Sequence, residues 1–143
     1  MFGIRVTLVT AAVTLAPAAV FAAFEMRAGK WQFETTSVMS VMPQPQTKTQ
    51  TKCLTEKDTD PDNAMKGLTK DGHCTLSGRE VSGNTHTFEV TCKGAKGPEM
   101  KGRATLTGHG DSVEGGMTVN MQMGPQAMTM ETKWKGKRLG NCD

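Results

Sequence analysis

Tyrosine is absent from the chain, and its single isoleucine, Ile4, stands within the first five residues. No G-x-S-x-G elbow, H-E-x-x-H pair or P-loop occurs, so nothing points to nucleophilic, zinc-dependent or nucleotide chemistry. Glu34, Glu89, Glu114 and Glu131 fall at positions expected to face solvent, where tuning of a carboxylate for acid–base work is not anticipated. The chain therefore reads as a non-enzyme. A surplus of one charge is also missing: 17 basic side chains oppose 14 acidic ones, which excludes an electrostatically driven nucleic-acid binder. A long apolar stretch is missing as well. Val6 to Phe21 is the longest, Pro17 interrupts it, and it is short for a membrane span of about 20 residues.

That stretch has another reading. It follows the basic start Met1–Arg5 and precedes Val20-Phe21-Ala22, with small residues at the two positions a signal peptidase inspects. We expect residues 1–22 to be a signal peptide and residues 23–143 one exported β domain of 121 residues. Without Arg5 that domain carries 16 basic against 14 acidic side chains, a net charge of +2.

What the expected domain has instead of aliphatic bulk is methionine. Leu, Val and Phe together number 14, against ten Met: 26, 39, 42, 65, 100, 117, 121, 123, 128 and 130. A domain of this size buries roughly two thirds of its unfolded surface, so a thin core calls for covalent help. Cys53, Cys74, Cys92 and Cys142 supply it. An even number in an exported chain favours disulfides, and the C-x₂₋₄-C pairs of a zinc site are missing. Three connectivities are open. Spacing prefers Cys74–Cys92, which flank the hairpin signal Val81-Ser82-Gly83-Asn84-Thr85; Cys53–Cys142 follows by elimination. A three-residue loop at Ser82 to Asn84 places Glu80 opposite His86, Leu76 opposite Val90 and Cys74 opposite Cys92.

Polar–apolar alternation recurs along a chain with 17 Thr in the expected domain. Trp31, Phe33, Thr35, Ser37, Met39 and Val41 share one face. Met42-Pro43-Gln44-Pro45-Gln46 breaks the pattern, and Thr47 to Leu54 resumes it with Lys48, Gln50 and Lys52 outward. Thr55 to Gly72 reads as a loop holding a short helix around Pro61 to Leu68, ended by Asp71-Gly72. Cys74 to Val81 and Thr85 to Cys92 form the stapled hairpin, and Lys93 to Pro98 a glycine-rich connection. Met100 to Gly108 turns at His109-Gly110, pairing Leu106 with Val113; Ser112 to Met123 and Met128 to Leu139 make the last hairpin. The fold class expected is all-β: a curled antiparallel meander of about seven strands, open or closed like a barrel, with one short helix. Gly115 and Gly116 read as a mid-strand bend.

A four-residue loop at Gly124 to Ala127 would set Met123 opposite Met128, Met121 opposite Met130 and Met117 opposite Trp134. Such methionines serve as pliable core filler, or as a wall that adapts to an apolar ligand. Thioethers are also soft ligands, so Met121, Met123, Met128 and Met130 form an alternative Cu(I) or Ag(I) site. The other candidate features read as structural. His73, His86 and His109 lack metal-pair spacing, and His86 is expected at the rim opposite Glu80. Asp58, Asp60 and Asp62 begin like a calcium loop, but Asn63 replaces the glycine and Thr69 the bidentate Glu, which leaves helix-start acidity. Lys133, Lys135 and Lys137 with Arg138 form a stripe expected to be a solvated face.

Gly29-Lys30-Trp31-Gln32, Cys53-Leu54-Thr55, Ser82-Gly83-Asn84-Thr85, Met128-Thr129-Met130 and the ending Gly136-Lys137-Arg138-Leu139-Gly140-Asn141-Cys142 resemble domain-of-unknown-function family 3617. The resemblance implies a small exported protein of Gram-negative bacteria, periplasmic, with no catalytic residues to transfer. The expectation is a soluble periplasmic binding or envelope-maintenance protein without a cofactor. It would hold an apolar small molecule, lipid or peptide segment against Trp31, Phe33, Met117, Met121, Met130 and Trp134. The alternatives are the soft-metal site and a purely structural partner of an envelope complex.

Overall fold

The structure, a computed structural model, describes residues 23–67, 73–93 and 99–143. The expected signal peptide, the helix end at Leu68 with Asp71-Gly72, and the Gly94–Pro98 connection lie outside the described residues. Seven strands build one antiparallel sheet: β1 (Gly29–Met39), β2 (Met42–Leu54), β3 (Cys74–Ser82), β4 (Thr85–Lys93), β5 (Glu99–Gly108), β6 (Ser112–Met123) and β7 (Gln126–Gly140). One short helix, α1 (Pro61–Lys66), lies between β2 and β3 in sequence. The spatial order is β2-β1-β7-β6-β5-β4-β3. Every neighbour in sequence is thus a neighbour in space except β2 and β3, and the first strand pairs with the last. The sheet is a meander opened at one seam, which settles the open-or-closed alternative as open.

The turns explain the order. Gly83, with φ of 59°, occupies the first central position of a two-residue turn in which Ser82 faces Thr85. This differs from the three-residue loop expected. Val81, not Glu80, faces His86, and a bulge between Ser77 and Glu80 takes up the extra residue. Gly78 sits in that bulge with φ of 57°, a conformation glycine adopts without strain. Leu76 opposite Val90 and Cys74 opposite Cys92 therefore hold. At the β5–β6 connection, Leu106 faces Gly115 and Gly108 faces Val113, two residues away from the expected register, because Gly110 bridges to Met26 and the turn spreads over four residues. At the last hairpin Gly124, with φ of 62°, tightens the loop to Gly124-Pro125, so Met123 faces Gln126.

The prolines also behave differently from expectation. β2 begins at Met42 and carries Pro43 and Pro45 where the β1–β2 register shifts between Ser37 and Met39. β2 is an edge strand, so prolines and lysines there interrupt little pairing and discourage a foreign strand. Val41 falls in the turn rather than on β1 and is exposed.

The core lies on the Trp31 face. Trp31 and Ala104 are fully buried, and Met65, Phe88, Val90, Cys92, Leu106 and Val113 join them in one cluster. The Trp31 indole N–H donates to the Arg27 carbonyl at 2.9 Å, so its polar atom is satisfied. The helix contributes through Met65. Asp60 caps its start by accepting from the Asp62 and Asn63 amides, with Pro61 at the first helical position. The acidity of Asp60 and Asp62 is thus helix-start acidity. Near α1, the end of the sheet containing Trp31, Val113 and Leu54 is called proximal; the opposite end holds Met39, Met121 and Met128.

Both disulfides follow the preferred pairing: Cys74–Cys92 across β3 and β4, and Cys53–Cys142, 5.7 Å apart at Cα, joining β2 to the C-terminal segment. In the chain-entropy account, the 89-residue separation is worth about 4.6 kcal/mol and the 18-residue separation about 3.2 kcal/mol. Urea unfolding of the Cys53→Ala, Cys142→Ala pair is expected to show the larger loss. An equal or smaller loss than for Cys74→Ala with Cys92→Ala would contradict that ordering.

Candidate functional site

Strand pairing determines which side chains share the core face. From Trp31 on β1 the register passes to Lys52 on β2, and from Phe33 to Gln50. Residues directly opposite one another in a pleated sheet project to the same side. Lys48, Gln50 and Lys52 therefore face the Trp31 side, and Thr47, Thr49 and Thr51 face away. This corrects the outward assignment made from polar–apolar alternation.

A groove of about 700 Å³ opens on this face. Phe33, Met117 and Trp134 form its apolar wall, with Leu106 and Val113 toward the core. Gln50 and Lys52 line it on the neighbouring edge strand, Thr35 and Thr132 add hydroxyls, and Asn63 and Met65 of α1 line it from the helix. The groove spans β2 to β5, five adjacent strands that a flat sheet would spread over about 19 Å, so the sheet bends around it. Its volume lies within the range of small-molecule sites.

Two glycines make room for the aromatic wall. A Cβ at Gly115 would collide with the Trp134 indole, reaching 2.7 Å from its Cε2, and a Cβ at Gly136 would lie 2.6 Å from the Phe33 ring. Each ring thus rests on bare backbone of the neighbouring strand. Gly115 is a seat for Trp134, and β6 carries no bulge there, since it shows no register shift against either neighbour. Phe33 continues into the core by stacking on Trp31, with centroids 5.9 Å apart and an interplanar angle of 16°.

Of the six expected lining residues, Phe33, Met117 and Trp134 line the groove. Trp31 lies sealed in the core, outside the lining. Met121 and Met130 stand half-buried farther along the same face, toward the distal end. Sequence reasoning missed Gln50, Lys52, Thr35, Thr132 and the helix residues. The signal for Lys52 was its cross-strand partner, Trp31, legible once the β1–β2 register is known. The expected methionine pairs also shift: Met121 faces Met128, Val119 faces Met130, Met117 faces Thr132 and Gly115 faces Trp134. On the other side of β7, Met130 faces Met39. The Met123 side chain lies outside the described residues.

His86 is 5% exposed, not at the rim. Its ring meets Phe24 edge-on at 5.2 Å, and Arg79 donates to Nδ1 at 3.2 Å while also pairing with Asp62 of α1 at 2.8 Å. Because the guanidinium can only donate, Nδ1 accepts and the ring proton resides on Nε2. His109 lies in a turn beside Asn84, and His73 is exposed. Lys133, Lys135 and Lys137 are exposed on the outer face. Among the described residues no three His, Cys, Asp or Glu side chains gather as a metal site, and no helix is long and apolar enough to cross a membrane. Asp58 is turned onto Thr55, accepting from its amide at 2.8 Å and its hydroxyl at 2.7 Å. Those bonds hold its carboxyl below the usual range.

Burial, and secondarily the Arg79 cation, lowers the His86 pKa from its ordinary 6.5, with Asp62 and Asp60 opposing. The folded chain therefore favours neutral His86 while the unfolded chain takes up a proton near pH 6.5. This contribution to stability is complete above 6.5 and is lost as the pH falls through the lowered folded value. Denaturant midpoints should drop on acidification from pH 7.5 to 5, and His86→Gln should flatten that drop. An undiminished slope in the variant would assign it to other groups.

A family model described as Protein of unknown function (DUF3617) matches residues 26–142. No curated protein and no solved structure matches the chain.

Proposed function

We propose, since the chain belongs to the DUF3617 family of proteins of unknown function and that membership assigns no activity, that it works by binding rather than catalysis. Its site is the groove beside α1, which holds an apolar molecule or an apolar segment of a partner. The observation that carries this reading is the aromatic wall, where Phe33 and Trp134 rest on Gly136 and Gly115 and face an open volume of about 700 Å³. Side chains that had only to fill a core would have closed that volume, because interiors pack densely. Two disulfides and the leader-like first 22 residues favour an exported, periplasmic setting.

Burying one further methylene of a ligand is worth about 0.8 kcal/mol, or about fourfold in affinity. Alkyl ligands of increasing length should therefore bind progressively tighter until the groove is full, read by titration calorimetry. Met117→Trp, which fills the groove, should abolish the trend. A lack of length dependence, with no molecule retained in native mass spectrometry of protein from its own host, would remove the proposal.

The register supports a second reading, soft-metal binding at the distal end. Met121 faces Met128, and Met130 faces Met39, so four thioethers lie on neighbouring strands of one face. The set differs from that expected in containing Met39. Changing Met39, Met121, Met128 and Met130 to Leu should weaken Cu(I) or Ag(I) binding against a competing chelator by tenfold or more. Unchanged affinity would end this reading.

A further inference from the structure

Lys52 lines the groove together with Gln50, and Lys48 lies on the same face of β2. Among the described residues neither lysine is within ion-pairing distance of a carboxylate: the lysine pairs present are Lys30 with Asp143 and Lys101 with Glu99. Among the described residues the one carboxylate lining the groove, Asp58, is held by Thr55. Lys66, also in the lining, donates to Asn63 at 2.6 Å. The groove thus has an apolar stretch of Phe33, Met117 and Trp134 on β1, β6 and β7, bordered by Lys52 and Gln50 on the edge strand. A guard against strand addition requires charge somewhere on the edge, and Pro43 and Pro45 already interrupt it. Guarding does not require lysines on the groove side, where Thr47, Thr49 and Thr51 leave the outward positions uncharged.

We infer that the occupant is a single-chain amphiphile with an anionic head group, an inference that rests on the binding reading above. Its alkyl chain lies against Phe33, Met117 and Trp134. Its head sits at Lys52, with Gln50 as hydrogen-bond donor and Lys48 adding positive potential. Because Lys52 and Lys48 belong to an exposed edge strand, the head remains partly in water and the chain enters first toward Met65.

Titration of the disulfide-intact chain with three twelve-carbon probes tests this: dodecanoate, dodecanol and dodecyltrimethylammonium, followed by tryptophan emission at low ionic strength. Dodecanoate should bind tightest, and added salt should reduce its advantage. Lys52→Gln should cost dodecanoate about two- to fivefold, as expected for a solvent-exposed charge pair. Lys48→Gln combined with Lys52→Gln should bring it level with dodecanol, while Lys133→Gln on the outer face should change nothing. Both substituted lysines are exposed, and circular dichroism verifies that the variants fold. Equal affinity for dodecanoate and dodecanol, or indifference to the lysine substitutions, overturns the head-group inference and leaves the apolar-groove reading standing. Binding of none of the three probes overturns both.

Discussion

The pairing of the first strand with the last is the constraint from which the rest of the molecule follows. β1 carries β2 on one side and β7 on the other, which joins a two-stranded hairpin and a five-stranded meander into one sheet. Bringing chain ends so far apart in sequence together costs loop entropy, though that cost grows slowly with length. Three things offset it: the ladder of an 11-residue strand, the burial of Trp31, and the covalent tie of Cys53 to Cys142. Gly29 allows the final approach, since a Cβ there would lie 2.7 Å from the Arg138 guanidinium, which itself donates to the Ala28 carbonyl at 2.8 Å. A chain so poor in Leu, Ile and Val depends on that closure more than a richly packed domain does.

The same scarcity shapes the concave face. The sheet's own side chains fill the proximal end, where Trp31, Val113 and Leu106 meet Met65 from the helix. Farther along, the interior thins into threonines and methionines, and the rings of Phe33 and Trp134 border open space beside the helix. Helix α1 is too short to be stable alone. It is held by its Asp60 cap, by Met65 in the core and by Asp62 on Arg79. Arg79 in turn satisfies buried His86, so one guanidinium ties the helix that walls the groove to that imidazole.

The faces of the strands were more legible in the sequence than their partners. The expected registers at the β5–β6 and β6–β7 turns were each displaced by two residues, and an even displacement leaves every side chain on its own face. In the β3–β4 hairpin a one-residue error at the turn was cancelled by the bulge at Gly78 and Arg79, so Cys74 still met Cys92. β2 was misread for another reason. Its facing was assigned from the alternation along Thr47 to Leu54, whereas its pairing with Trp31 and Phe33 turns Lys52 and Gln50 inward. His86 looked like a rim residue because its partners, Phe24 and Arg79, come from segments that no local pattern connects to it.

Period-two alternation and turn glycines were enough to determine the strands, the buried sides of all but β2 and the Cys74–Cys92 bridge, because each of these is written within a short stretch of chain, and Cys53–Cys142 then followed by elimination. The tertiary structure alone decided that β7 lies against β1, that the seam between β2 and β3 stays open, and that a helix stands beside the aromatic wall. Those outcomes depend on contacts between segments tens of residues apart, whose free energy arises only when both sides are present and which leave no periodic trace in either.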